Sequence, residues 1–293
     1  MTAINKTVSR RGFLAAGGAM VAATSITRVR GSSVVKTDKT PVIDGMMHLE
    51  VYESATKGNY WEGLVDEILE QYDYAGIDQG VILTTWTPSR TSNDRTLRAY
   101  EKHPDRFIPF GHIRPEDPDW KEQLQRVSEP PWKGLKLHEG ELRRVGQDLK
   151  QTTWTIAKAA SELGIRLVKL HLVNYSTIEQ LTRQFTDITW ILPHLGCYNR
   201  WNEMKKYCEL ARSRKNVYLD TSGVAAYYRF GQAFQWAGVE KITFASDGFM
   251  YHPLVEKAKV EALRLPGPYR TPRLTDEQMA MVLGGTMKKL LLL

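Results

Sequence analysis

Val42-Ile43-Asp44-Gly45-Met46-Met47-His48 is an apolar run that closes on a histidine. Read as a β-strand, its alternate side chains point the same way, so Asp44, Met46 and His48 share one face. A carboxylate and an imidazole on a buried face need partners. Four later runs end in groups that meet the need: Lys136-Leu137-His138, Lys169-Leu170-His171, Pro193-His194-Leu195-Gly196 and Ala245-Ser246-Asp247-Gly248. Polar groups that end successive apolar strands belong to the mouth of a barrel.

Eight short runs of buried parallel-strand type follow this pattern: 41–48, 79–86, 106–112, 132–138, 165–171, 188–194, 216–221 and 241–247. Helical patterns separate them. Leu64, Val65, Ile68, Leu69 and Tyr72 form an amphipathic stripe, and similar patterns run over 154–163, 177–185, 203–211 and 255–263. Thr275-Asp276-Glu277-Gln278 supplies an N-cap for a last helix. Strand–helix alternation over roughly 250 residues specifies a (β/α)8 TIM barrel, with an open doubly wound sheet as the alternative. No Gly-x-Gly-x-x-Gly or P-loop follows any strand, so nothing supports a nucleotide site. The loop after the fourth strand, 140–151, is placed to act as a lid or specificity loop. The connection 51–62, with Tyr52, Tyr60 and Trp61, either walls a pocket or packs on a helix.

The net charge of +7 is mostly a property of residues 1–33, which hold Lys6, Arg10, Arg11, Arg28 and Arg30 and no acid, so that +2 remains without them. That balance gives no reason to expect a nucleic-acid partner. Ser9-Arg10-Arg11-Gly12-Phe13-Leu14 ahead of a weakly apolar run is similar to a twin-arginine export signal. Residues 1–33 are therefore read as a leader and 34–293 as the barrel domain, in the periplasm or outside the cell. The apolar run Phe13–Ile26 is shorter than the about 20 residues of a membrane span, so no stable membrane anchor is expected. Cys197 and Cys208 on one helical stretch would lie on the order of 16 Å apart, beyond disulfide reach, and are expected as free thiols.

In such a barrel the active site lies at the C-terminal strand ends. Those ends supply His48, Trp86, His112, Lys136, His138, Lys169, His171, His194, Asp220 and Asp247, including five of the seven histidines. Lys136 and Lys169 each precede a histidine by two residues and share its inward face. Each is either paired with Asp44 or Asp220, or free to bind a substrate carboxylate. Trp86 and His112 complete the expected substrate contacts.

In order, Ile-Asp-Gly-x-x-His, Gly-Leu-Lys-Leu-His, Leu-x-Pro-His-Leu-Gly, Asn-Val-Tyr-Leu-Asp-Thr-Ser and Phe-Ala-Ser-Asp resemble the amidohydrolase-related branch of the metal-dependent hydrolases. That branch includes nonoxidative decarboxylases of the aminocarboxymuconate-semialdehyde and hydroxybenzoate types. The resemblance covers residues 41–293. It implies His48, His171 and Asp247 as metal ligands, His194 as acid/base beside them, and His138 as a substrate or transition-state contact. One position departs: Met46 stands where the branch has the first histidine of a His-x-His pair. A thioether suits soft ions and replaces imidazole poorly on zinc. The remaining two histidines and one carboxylate still suit zinc or manganese, and some members of the branch work without metal.

The expected function is an exported hydrolase in which metal-assisted water attacks a small carboxylated or cyclic ester-type substrate. Asp247 takes the water's proton and His194 stabilises the oxyanion. The alternatives are nonoxidative decarboxylation of an aromatic or unsaturated acid, with His194 as proton donor, and a barrel that has lost catalysis with its first metal histidine. The partner is a small molecule, and a homodimer is compatible with the sequence.

Overall fold

A computed structural model of the chain describes residues 39–49, 61–143, 148–172, 174–267 and 273–293. The proposed leader, the connection carrying Tyr52 and Tyr60, and the side chain of Trp61 lie outside the described residues. The eight apolar runs are eight strands: β1 (Ile43–His48), β2 (Gln79–Leu83), β3 (Phe107–His112), β4 (Gly134–His138), β5 (Leu167–His171), β6 (Thr189–Leu192), β7 (Val217–Asp220) and β8 (Ile242–Thr243). They pair in parallel in sequence order. Three backbone hydrogen bonds then return the sheet to β1: Gly45 N to Phe244 O at 2.9 Å, Asp247 N to Met46 O at 2.9 Å and His48 N to Gly248 O at 2.6 Å. The closed sheet is the (β/α)8 barrel.

Between the strands run α1 (Trp61–Ala75), α2 (Ser89–Lys102), α3 (Trp120–Val127), α4 (Glu139–Leu142), α5 (Leu149–Glu162), α6 (Tyr175–Gln184), α7 (Met204–Ser213), α8 (Tyr228–Ala237) and α9 (Pro253–Glu261). The last helix is α10 (Asp276–Ala280), a π turn over Met281–Gly285, and α11 (Thr286–Leu291). Its start is the capping box read from the sequence: Thr275 Oγ1 accepts from Gln278 N at 3.2 Å, and Gln278 Oε1 accepts from Thr275 N at 3.0 Å. Cys197 and Cys208 are buried free thiols, and burial pushes each up to about 12, so both are inert. Among the described residues, no helix is long and apolar enough to cross a membrane.

Inside the barrel, Ile43, Met46, Val81, Leu83, Ile108, Phe110, Leu167, Ile191 and Ala245 form one apolar layer with Met287 and Leu291 of α11. Gly284 lies so close to Pro41, just ahead of β1, that a Cβ there would stand 1.7 Å from the Pro41 carbonyl oxygen. The last helix thus plugs the barrel at the end away from His48. The other face of each strand packs on the helices, with Met47, Ile82, Leu135, Leu137, Val168 and Leu170 in that outer core.

Strict alternation fails in β1. Asp44 pairs with Gly80 and Met47 with Ile82, so three steps on β1 match two on β2. The extra residue turns Asp44 to the helix side while Met46 and His48 stay inward. Asp44 therefore does not share a face with Met46 and His48, as period two predicts. Its Oδ2 accepts from Tyr72 of α1 at 3.0 Å and from Ser246 Oγ at 2.5 Å, and its Oδ1 accepts from Ser246 N at 2.7 Å and Met46 N at 3.1 Å. Burial pushes this carboxyl up to about 6 in spite of those donors.

Tyr72 reaches Asp44 across Gly80, where a Cβ would lie 2.1 Å from the phenol oxygen. Gly80→Ala is expected to push the ring off Asp44 and to lower stability by about 1–3 kcal/mol, the range of overpacked cores. Urea unfolding measures it. A variant as stable as the parent would show that the ring does not need that gap.

Candidate active site

β4 and β5 pair with Lys136 beside Lys169 and His138 beside His171. Two cations and two imidazoles thus stand in adjacent layers below the mouth. The lysines have opposite surroundings. Lys169 is 0% exposed and its Nζ donates to Asp220 Oδ2 at 2.5 Å. Asp220 Oδ1 accepts from Ser222 Oγ at 2.6 Å, Ser222 N at 3.1 Å and His194 N at 3.0 Å. Burial works against the Asp220 charge, but the Lys169 ammonium holds its carboxyl below the usual range. The substrate-binding role expected of Lys169 is thus corrected: it is the buried partner of Asp220.

Lys136 is 1% exposed, and its hydrogen-bond partner is the thioether of Met46, with Nζ to Sδ at 3.2 Å. Among the described residues it forms no ion pair. Burial first, and the Lys169 charge second, bring it down to about 8, which leaves it largely protonated at neutral pH. An ammonium in the interior without a carboxylate is costly.

Above the lysines, five rings stand in a row, the first four edge to face and Tyr198 tilted against His194. The ring centroids are 4.5 Å apart for Trp86 and His138, 4.4 Å for His138 and His171, 4.8 Å for His171 and His194, and 5.2 Å for His194 and Tyr198. His138 Nδ1 accepts from Gly140 N at 3.1 Å, which leaves Nε2 as its N–H in the neutral ring. Burial, then Lys136, brings His138 down to about 3. His171 is lowered by burial and by its neighbour His194. The Nδ1 of His194 donates to Ser222 O at 2.9 Å, so Nε2 is its remaining functional nitrogen. Burial lowers His194 as well, while Asp247 and Asp220 favour its charged form.

His48 Nε2 lies 3.2 Å from Asp247 Oδ1, with Thr85 Oγ1 3.4 Å from its Nδ1. Burial opposes the Asp247 charge, yet the His48 hydrogen bond and the charges of His48, His194 and Lys136 hold this carboxyl far below the usual range. Trp86, His194 and Asp247 all have left-handed backbone, with φ of 62°, 57° and 60°. Each sits just beyond its strand, where that turn aims the side chain over the barrel.

His112 is not the substrate contact expected of it. Its Nε2 lies 2.6 Å from Glu141 Oε2, with both side chains buried, and its Nδ1 is buried without a partner. Glu141 Oε1 also accepts from Trp86 N at 2.8 Å. The start of the loop after β4 is therefore the helical turn α4, pinned inward by Glu141; 144–147 lie outside the described residues. Glu141, Ser222, Ser246 and Tyr198 were not legible as site residues. Ser222 and Ser246 had a signal, standing two residues after Asp220 and one before Asp247, where a short hydroxyl bonds a neighbouring carboxylate or backbone. Glu141 had none.

The metal reading can be tested on the donors. His48 and Asp247 adjoin, but among the described residues no group of three His, Cys, Asp or Glu side chains is placed to hold a metal ion. The fourth position is a thioether already facing an ammonium. These residues do not fit a divalent ion.

Against known proteins, the family model described as Amidohydrolase matches residues 59–293. Among curated proteins, no sequence matches the chain. Solved structures of similar fold include a 2,6-dihydroxybenzoate decarboxylase from Rhizobium, with TM-score 0.62 and 17% identity over 86% of this chain and 98% of that one. A 5-carboxyvanillate decarboxylase from Novosphingobium aromaticivorans, holding manganese and 4-hydroxy-3-methoxy-5-nitrobenzoic acid, gives 0.64 and 14% over 86% and 96%. A 4-oxalomesaconate hydratase from Rhodopseudomonas palustris gives 0.62 and 16% over 85% and 95%. At these identities the likeness speaks for the fold. The match of the family model to most of the chain, together with the barrel and its ring of strand-end histidines, shows that this protein belongs to the amidohydrolase family.

Proposed function

We propose that the barrel is a nonoxidative decarboxylase of a small aromatic or unsaturated carboxylic acid. The observation that carries this reading is Lys136, a buried ammonium with no carboxylate of the described residues to neutralise it. A substrate carboxylate is the ion that the site lacks. The row of rings from Trp86 to Tyr198 gives a planar acid edge-to-face contacts. Two solved structures of similar fold are decarboxylases of hydroxylated benzoates, which supports the same class. Hydrolysis, the reading first suggested by the sequence, has less support, because the expected metal donors do not assemble.

The chemistry follows from the protonation states. The carbon bearing the carboxylate must gain a proton before or as its bond to CO2 breaks, and the bonding pair stays with that carbon. His194 is the donor, from Nε2, since Nδ1 is committed to Ser222. Burial lowers its proton affinity, Asp247 and Asp220 act against that, and an anionic substrate entering the site favours the charged form further. Lys136 holds the carboxylate, and His138 Nε2–H offers a neutral hydrogen bond. Residues 1–33, read as a twin-arginine leader, favour a reaction in the periplasm or outside the cell.

Incubation with a panel of hydroxybenzoates and unsaturated acids in D2O is expected to release CO2 and to leave deuterium on the vacated carbon. Ester or lactone hydrolysis without CO2 would sink the reading. Because the acid form of His194 is required and burial lowers its proton affinity, kcat/KM should fall as pH rises, with a midpoint below the ordinary histidine value. A hydrolase using neutral His194 and ionised Asp247 would show the opposite slope. His194→Asn should lower kcat by about 100-fold or more.

The two lysines separate binding from folding. Lys136→Met is expected to raise KM at least tenfold without loss of stability, because no counter-charge is left behind. Lys169→Met should cost about 3–5 kcal/mol by stranding the Asp220 carboxylate. Urea unfolding of both, with substrate kinetics on the first, checks the contrast; equal destabilisation would remove Lys136 from the binding role.

A further inference from the structure

We propose that the Lys136 ammonium, seated on the Met46 thioether, takes the place of the divalent cation in this barrel, so that the site works around a fixed organic cation and binds no catalytic metal. The inference does not depend on the reaction assigned above, because it is read out by metal binding.

Three observations converge on it. Met46 occupies the position two residues before His48 where the family resemblance calls for an imidazole. Its sulfur does not face an empty space but the Lys136 nitrogen, 3.2 Å away and fully inside the protein. A thioether is a weak acceptor and a poor ligand for a hard ion, so the exchange of imidazole for methionine disfavours a metal and tolerates an ammonium. Secondly, Lys136 is central to the expected ligand set. It stands two residues before His138, which pairs with His171 on β5, and its Nζ meets Met46, two residues before His48. Those are the groups a bound cation would organise. Thirdly, the neighbouring Lys169 shows what a structural lysine looks like here, with a carboxylate 2.5 Å away. Lys136 has no such partner among the described residues and so is a cation left available.

An ammonium differs from a divalent ion in what it supplies. It carries one charge and donates hydrogen bonds to a carboxylate or oxyanion, but has no open coordination position at which to ionise water. The exchange fixes the cation in the chain, independent of metal supply, and keeps the charge that holds an anionic substrate.

The decisive measurements are elemental analysis of the full, tag-free chain after dialysis and calorimetric titration with MnCl2 and ZnCl2. The wild type is expected to carry far less than one metal per chain and to keep its Tm in EDTA. Met46→His alone should gain little, because the ammonium remains. Met46→His with Lys136→Met should bind Mn2+ or Zn2+ at least tenfold more tightly than either the wild type or the single variant. One stoichiometric metal in the dialysed wild type, or Met46→His binding as tightly as the double variant, would overturn the proposal. If the double variant fails to fold by circular dichroism, the wild-type metal content and chelator response still decide it.

Discussion

One extra residue in β1 governs the site. Between Asp44 and Met47 the strand advances three residues against two on β2. That bulge sends Asp44 outward, where its two oxygens take the backbone and hydroxyl of Ser246, and keeps Met46 and His48 inward. Without the shift, either Asp44 or Met46 would face the wrong way. The same segment closes the barrel, since Met46 O and His48 N bond Asp247 and Gly248 across the seam. Barrel closure, the aim of Asp247 and the contact of Met46 with Lys136 therefore rest on a single local irregularity. Bulges re-aim side chains beside active sites for this reason.

The interior charges then sort themselves by partner. Lys169 and Asp220 neutralise each other, and removing either alone would leave a buried ion at a cost of about 3–5 kcal/mol. His112 and Glu141 form a second closed pair, and His48 adjoins Asp247. Among the described residues, Lys136 is left without a carboxylate partner. A divalent ion seated among the same side chains would be repelled by the Lys136 ammonium. In the proposed site the ammonium and a metal are therefore competitors for the same donors.

Much of this was legible in the sequence, and the boundary is physical. The eight strands and their order followed from apolar runs with polar ends, which is the signature of parallel strands buried on both faces. The capped last helix followed from Thr275 and Gln278. Helix α2 carried no clear stripe: its buried residues are Ser89, Ser92, Asn93, Thr96 and Ala99, polar or small, so no apolar periodicity marks its inner face. Among the candidate site residues, the positions of His138, His171, His194 and Asp247 at strand ends were legible because that is a one-dimensional property. Which face Asp44 takes, and which lysine Asp220 neutralises, are not. A bulge inverts alternation without any marker beyond Gly45, and Lys136 and Lys169 occupy identical Lys-Leu-His contexts. Their difference lies in β7 and β1, far away in the chain.

The strained residues at the rim explain why the remaining carboxylates are where they are. Trp86, His194 and Asp247 each hold left-handed backbone, which costs about 1–2 kcal/mol for a residue with a Cβ. In each case a buried carboxylate from another element grips the peptide N–H at that turn or next to it. Glu141 takes Trp86 N, Asp220 takes His194 N, and Asp44 takes Ser246 N, one residue before Asp247. A hydrogen bond to an ionised acceptor is about twice as strong as a neutral one, enough to offset the strain. Three clamps of one kind hold three side chains over the barrel, and each clamp is thereby withdrawn from chemistry. Of these four acids only Asp247 keeps its carboxylate at the rim, within reach of His48 and acting on His194. In the proposed reaction, proton transfer therefore falls to His194 with Asp247 behind it, while the substrate's own carboxylate is left to Lys136.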